Sequence, residues 1–367
     1  MPFNLIEYIA PDFSAPALKN APDAALLPAP RDGVAPDRYH ATTIFPEYFR
    51  VNGRWLLAED MRMDCVAVYA DGKVNAVEFR NLKKGDAVFV GRAEDGSEGI
   101  YVHPDGFPAQ EEEVSDLFAF RQKRSRETTF SRDYDQLYEL LRYERDYGNI
   151  LWVMGPACTF DHDARAAFAR LIDNGYVHGL LAGNALATHD LEAAWLGTAL
   201  GQDIYTQKSQ PLGHYNHLDT LNRIRAYGSI PAFIEGECLD DGIICACVRN
   251  HVPFVLAGSI RDDGPMPEII GNVYDAQNAM RACARKATTV ISMATTLHSI
   301  ATGNMTPSYR VLPDGTVRQV YFYSVDISEF AVNKLADRGS ISARSIVTNV
   351  QDFMVNVCKS LCGNKSL

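Results

Sequence analysis

GLLAGNALATHDLEAAWLG (residues 179–197) is a short apolar run, a small-residue turn bearing Asn184, and a helical stretch closed by Gly197. The same run and turn recur at PFVLAGSIRDD (253–263), VISMATTLHS (290–299), VYFYSVD (320–326) and SIVTNV (345–350). Continuous β-branched and aromatic runs suit strands buried on both faces, as in a parallel sheet. In an open parallel sheet the ligand crevice lies beyond the carboxyl ends of the strands. Those ends carry Asn184, Asp262, Asp263, His298, Asp326 and Asn349. The five turns therefore read as the rim of one site.

Helical segments separate the runs. ILWVM (150–154) reads as a strand; Ala164, Ala167, Phe168, Leu171 and Ile172 follow at helical spacing, and Gly175 stops that helix. More helices are expected over His217–Tyr227, Tyr274–Lys286 and EFAVNKLADRG (329–339), and from Gln351 onward. VRQVYFYSVD (317–326) reads as one strand. Strands alternating with helices give an α/β fold with a doubly wound, mainly parallel sheet over 149–367. Residues 37–110 read as a small β module with hairpin turns at Asn52–Gly53 and Asp71–Gly72. Residues 1–36 are Ala- and Pro-rich and read as an irregular arm. Residues 111–148 read as a charged linker (Arg121, Lys123, Arg124, Arg126) followed by a helix over Asp133–Tyr147.

The chain has 367 residues, 47% of them hydrophobic, enough for a sizeable core. A net charge of −11 argues against nucleic acid, which calls for a basic face. None of the eight Cys falls into a paired CxxC zinc pattern, so no metal is expected. Buried, reduced thiols are the expectation, with a catalytic thiol at Cys245 or Cys247 as the alternative. The opening MPFNLIEYIAPDF lacks a basic n-region and a long apolar h-region, and no apolar run reaches about 18 residues. No membrane partner and a cytoplasmic location follow as expectations.

Each turn has two readings. The small residues around Asn184 permit close backbone approach and leave helix N–H groups for an anion; the alternative is a tight turn with a left-handed Asn. Arg261, Asp262 and Asp263 suit an amino acid, with a cation for the carboxylate and anions for the ammonium; the alternative is a salt-bridged loop. His298 can shuttle protons or be structural. Asp326 can accept both hydrogens of a ribose diol or cap the next helix. His214 and His217 could share a helical face, but no third ligand accompanies them. No GxGxxG follows a strand, so an ordinary dinucleotide turn is not expected.

LLAGNALATHDLE, VPFVLAGSIRDDGPMP, LHSIATGN and KLADRGS together resemble the NAD-dependent ornithine cyclodeaminase family of archaea and bacteria, the lysine-oxoglutarate reductase/saccharopine dehydrogenase-like group. DGVAPDRYHATTIFPEYFRVNGRW, EDMRMDCVAV and LKKGDAVFVG are similar to that family's β module. The resemblance implies a deoxyhypusine-synthase-like NAD-binding sheet, and NAD held tightly and regenerated in each turnover. It places NAD contacts at Asn184, Ala185, Asp263, Thr295, Thr296, Leu297, His298, Asp326, Asn349 and Val350. The chain departs from the family where GPACTFDHDAR (155–165) follows the first parallel strand, and where Thr348–Asn349–Val350 replaces the usual Thr-Asp-Val. The implied activity turns ornithine, or a close diamino acid, into proline, or a cyclic imino acid, plus ammonia by internal hydride transfer. Arg261 is the expected holder of the substrate carboxylate, and Asp262 or His298 the expected base. A small-molecule amino-acid substrate and a homo-oligomer are the expected partners. The alternatives are an opine- or homospermidine-type oxidoreductase and a non-catalytic NAD-binding paralogue.

Overall fold

The computed structural model describes residues 4–108, 131–262, 264–328 and 341–363. In the N-terminal part, short strands are set by tight turns. These are β1 (Ala25–Pro28), β2 (Glu47–Val51), β3 (Arg54–Leu57), β4 (Val66–Ala70), β5 (Lys73–Val77), β6 (Ala87–Val90) and β7 (Ile100–Val102). Asn52 and Gly53 take φ of 51° and 74° between β2 and β3; Asp71 and Gly72 take 51° and 79° between β4 and β5. Two successive positive φ angles give the twist that paired antiparallel strands require. The strands form two antiparallel sheets, β1-β6-β4-β5 and β3-β2-β7.

The Pro-rich arm is not irregular throughout. Pro16–Lys19 make one helical turn (α1), and β1 pairs with β6, Leu27 opposite Val88. Ala-Leu-Leu between prolines is a short apolar edge strand, and Pro28 is tolerated because an edge leaves one row of donors unused.

The second part is built on six parallel strands: β8 (Ile150–Met154), β9 (Gly179–Gly183), β12 (Phe254–Ala257), β13 (Thr289–Met293), β16 (Tyr321–Asp326) and β17 (Ser342–Val347). Their order is β12-β9-β8-β13-β16-β17, and every neighbouring pair is parallel. Counted along the chain this is 3-2-1-4-5-6, so the winding reverses between β8 and β13. A doubly wound sheet opens its ligand crevice at that switch point. β8 and β13 are buried at every residue, as their continuous apolar runs require.

Helices cover both faces. Trp152, Leu180 and Ile291 pack with α2 (Ser131–Tyr147), α3 (His162–Asp173), α4 (Asn184–Leu196), α7 (Ile243–Arg249) and the C-terminal helix (Val350–Cys362). Leu151, Leu181 and Val290 pack with α8 (Val273–Ala284) and Met305 of α9 (Thr296–Met305). Two excursions interrupt the alternation. After α4 come β10 (Thr198–Ala199), β11 (Gln202–Asp203) and α5 (Asn216–Tyr227); before β16 comes the hairpin β14 (Tyr309–Val311) and β15 (Val317–Gln319). VRQVYFYSVD is therefore two strands, not one. Arg318 is buried by pairing with Glu144 of α2, while the parallel ladder starts only at Tyr321, opposite Thr289. The helix expected over 329–339 and the basic run at 121–126 lie outside the described residues. Among the described residues no helix is long and apolar enough to cross a membrane.

Arg62 clasps the two parts together. It donates to the Asn304 carbonyl of α9 and to Glu78, which also holds Arg281 of α8 at 2.7 Å.

Gly155 leaves β8 at the switch point and donates its N–H to the Met293 carbonyl at 2.9 Å. A Cβ there would overlap the Ala294 carbonyl oxygen and meet Thr295 Cβ at 3.3 Å. Gly155→Ala should therefore destabilise the protein by about 1–3 kcal/mol, as overpacking does. Denaturant unfolding measures this; an unchanged midpoint would mean that the two turns part freely.

Candidate functional site

Two long helices begin at the carboxyl edge of the sheet without a side-chain cap. α4 starts behind Gly183 and α9 behind Thr295, and neither residue bonds the first-turn amides through its side chain. Elsewhere Asp161, Asn272 and Asn349 cap α3, α8 and the C-terminal helix. Uncapped first turns present N–H groups suited to an anion. At the first of them, Asn184 Oδ1 is buried with no hydrogen-bond partner. A buried acceptor left unpaired is costly, and a ligand amide or hydroxyl would satisfy it.

His298 joins the two turns. Its Cε1 lies 3.2 Å from where a Cβ on Gly183 would stand, so the missing side chain makes room for the ring. Burial lowers the imidazole pKa from its ordinary 6.5, keeping the ring neutral. Ser299 donates to the Thr295 carbonyl and shares a hydrogen bond with Ser292, which fixes the start of α9 against β13. Thr296 and Leu297 remain exposed, Leu297 to 74%. Asn184, Ala185 and Thr295–His298 thus fall at one place.

Asp326 ends β16 beside them, since Met293 pairs with Val325 and the Ala294 amide donates to the Val325 carbonyl. Its carboxylate accepts the Ser328 amide at 2.8 Å. On the next strand Thr348 donates to the Asp326 carbonyl, which brings Asn349 and Val350 alongside. Asn349 Oδ1 is already engaged by the amides of Gln351 and Asp352, so here the residue caps a helix. Arg261 and Asp262 stand apart in an exposed turn after β12. There Asp262 accepts the Ser259 amide at 2.8 Å. Asp263 lies outside the described residues. Cys245 and Cys247 are buried, and burial pushes the Cys245 thiol up to about 12 and that of Cys247 higher still. Neither is a ready thiolate.

Reading along the chain missed two buried networks. Arg165 of α3 donates to Asp190 of α4 at 2.7 Å and pairs with Asp241; Asp190 also accepts the amides of Ile243 and Ile244 that open α7. Glu192 of α4, fully buried, binds His189 and the β10–β11 turn. The available signal was charge inside an apolar helix: Asp190 and Glu192 flank Leu191 in a segment buried almost throughout.

Two family models divide the chain. Residues 46–128 match the first region, and residues 136–357 the Rossmann fold, of the arginine dihydrolase ArgZ-like C-terminal part. The ornithine cyclodeaminase of Methanocaldococcus jannaschii is 39% identical over 348 residues, 92% of this chain and 78% of that protein. A conserved LOR/SDH protein of Methanococcus maripaludis superposes with a TM-score of 0.82 at 36% identity, covering 93% of this chain and 98% of its own. The ternary complex of AgrE with ornithine and NAD+ matches 95% of this chain and 47% of that one, at 33% identity and a TM-score of 0.58.

Burial of His298 makes the fold sensitive to acid. Because its folded pKa lies below the unfolded value, stability linked to it is complete above about pH 6.5 and is lost as the pH falls below that. Urea unfolding at about pH 7.5 and about pH 5.5 should show a larger loss for wild type than for His298→Gln. Equal losses would remove His298 as the cause.

Proposed function

The chain belongs to the ornithine cyclodeaminase family, and from that premise we propose that it converts ornithine, or a close diamino acid, to proline, or a cyclic imino acid, and ammonia. The observation that carries this reading is the crevice between β8 and β13. Two uncapped helix starts and the unpaired Asn184 Oδ1 meet there, with Asp326 beside them. This donor and acceptor set fits a dinucleotide: N–H groups for the pyrophosphate, a carboxylate for a ribose diol, and an acceptor for an amide.

NAD, when bound, supplies the hydride acceptor and then gives the same hydride back, so the reaction has no net redox change. The chain would hold it through Asn184 and Ala185, through Thr295–His298, and through Asp326, Asn349 and Val350, with Asp263 in the same proposed set. A neutral His298 would add no charge beside a cationic nicotinamide held there. On the substrate side, Arg261 offers a cation to the carboxylate, and Asp262 an anion to an ammonium group. Both are solvent-accessible, in a turn closed by the Ser259–Asp262 hydrogen bond, and so open to a ligand.

Incubation with ornithine should release ammonia while total NAD stays oxidised overall. Deuterium at Cα of ornithine should reappear at Cα of the product. Label lost to solvent would overturn the internal hydride cycle, and stoichiometric NADH would favour a simple dehydrogenase.

Asp326→Ala should weaken NAD binding by roughly 1.5–3 kcal/mol, the range for hydrogen bonds to a charged group. Calorimetry of NAD binding measures it; unchanged affinity would reduce Asp326 to a partner of the Ser328 amide.

A further inference from the structure

Glu192 lies inside α4, wholly buried, and takes four donors. These are His189 Nδ1 at 3.1 Å, Thr198 Oγ1 at 2.8 Å, and the amides of Leu200 and Gly201 at 3.0 and 2.9 Å. Leu200 and Gly201 have φ of 51° and 73°, so the β10–β11 turn curls both N–H groups onto the carboxylate. Asn216, opening α5, holds the Thr198 hydroxyl at 2.8 Å. Burial works to raise the Glu192 pKa, but the His189, Gly201 and Thr198 donors bring it below the usual value and keep the group ionised. Three of these donors would suffice to anchor the turn. The fourth orients an imidazole.

With Nδ1–H given to Glu192, Nε2 of His189 is left as a lone-pair acceptor. It has no hydrogen-bond partner among the described residues, and 11% of the side chain stays exposed. The His189 ring lies 5.3 Å from that of Phe160 and 6.3 Å from that of His217, centroid to centroid. Phe160 ends the turn Pro156–Phe160 that follows β8, one wall of the switch point. α4 itself begins at Asn184, and His189 is five residues further, about 7 Å along the axis. Asp262 and His298 are poorer bases. Asp262 is engaged with Ser259 in an exposed turn, and among the described residues neither ring nitrogen of His298 is paired with a carboxylate.

We propose, resting on the ornithine reaction inferred above, that His189 takes the proton from the substrate ammonium, with Glu192 as its positioning residue. An N–H bond of the α-nitrogen breaks as Nε2–H forms, leaving a neutral amine from which the Cα hydride can depart. The Nε2 proton later passes to the nitrogen that leaves as ammonia, so His189 ends each cycle neutral. No electrons pass through the pair.

The test measures ammonia release from ornithine by wild type, His189→Asn and Glu192→Gln, with the NAD content and thermal unfolding of each. His189→Ala is assayed with and without added imidazole. His189→Asn should lower kcat by about 10²–10⁴-fold, the usual contribution of a positioned acid–base group, with KM, NAD content and unfolding unchanged. Glu192→Gln should lower kcat without raising KM, and imidazole should restore part of the His189→Ala rate. Folded His189→Asn with wild-type kcat overturns the proposal and leaves the ornithine reaction standing. Lost activity that imidazole does not restore, accompanied by lost NAD or early unfolding, gives the pair a structural role and also overturns it. Wild-type protein that releases no ammonia defeats the reaction itself, and the proposal with it.

Discussion

The Ala294 carbonyl leaves no room for a side chain at position 155, and the site depends on that closeness. β8 and β13 run side by side, then their chains leave in opposite directions. Among the described strands, the winding reverses between these departing turns. Gly155 permits the approach, Ala294 accepts a φ of 50° to make it, and the Gly155 amide bonds across to Met293. The helix that carries Thr296–His298 starts from this junction, and the strands that lead to Asn184 and Asp326 flank it.

Helix starts then divide by use. Where an Asp or Asn caps the first turn, the amides are satisfied internally and the end is inert toward an anion. At α4 and α9 that satisfaction is missing, at a cost of about 1 kcal/mol per absent cap. A protein that leaves two such ends uncapped at one edge, and buries an unpaired Asn oxygen there, gives up stability at a site rather than at random.

Sequence periodicity made the strands legible because burial on both faces turns each into an uninterrupted apolar run. The glycine stops at Gly175, Gly197 and Gly228 were legible because each must adopt a positive φ, here 78°, 68° and 83°. β1 was not, because proline counts masked a three-residue apolar run that needs only an edge. Nor was the break at Val320, where a buried Arg318 looks polar until Glu144, far away in sequence, is placed against it. Of the candidate site, the strand-end residues could be named and the adjacency of Gly183 to His298 could not. That contact depends on α9 crossing to the end of β9. At Asn349 the side-chain oxygen serves its own helix, which the sequence did not foretell. His189 and Glu192 went unread for a related reason: a carboxylate at i+3 of a histidine is common, and its meaning rests on the three further donors supplied by the β10–β11 excursion.

α4 is tied down at several points along its length. Its first residue stands at the carboxyl end of β9, His189 leans on Phe160, Asp190 is locked to Arg165 and α7, and Glu192 is locked to the β10–β11 turn. Burying two carboxylates in one helix is a poor route to stability, because desolvation offsets most of the attraction. What it gains is rotation: Asp190 and Glu192 point to different partners, so the helix cannot turn about its axis without breaking one set of bonds. The azimuth of His189 relative to Asn184 is thereby fixed, as the proposed transfer of a proton and a hydride from one substrate carbon–nitrogen unit would require.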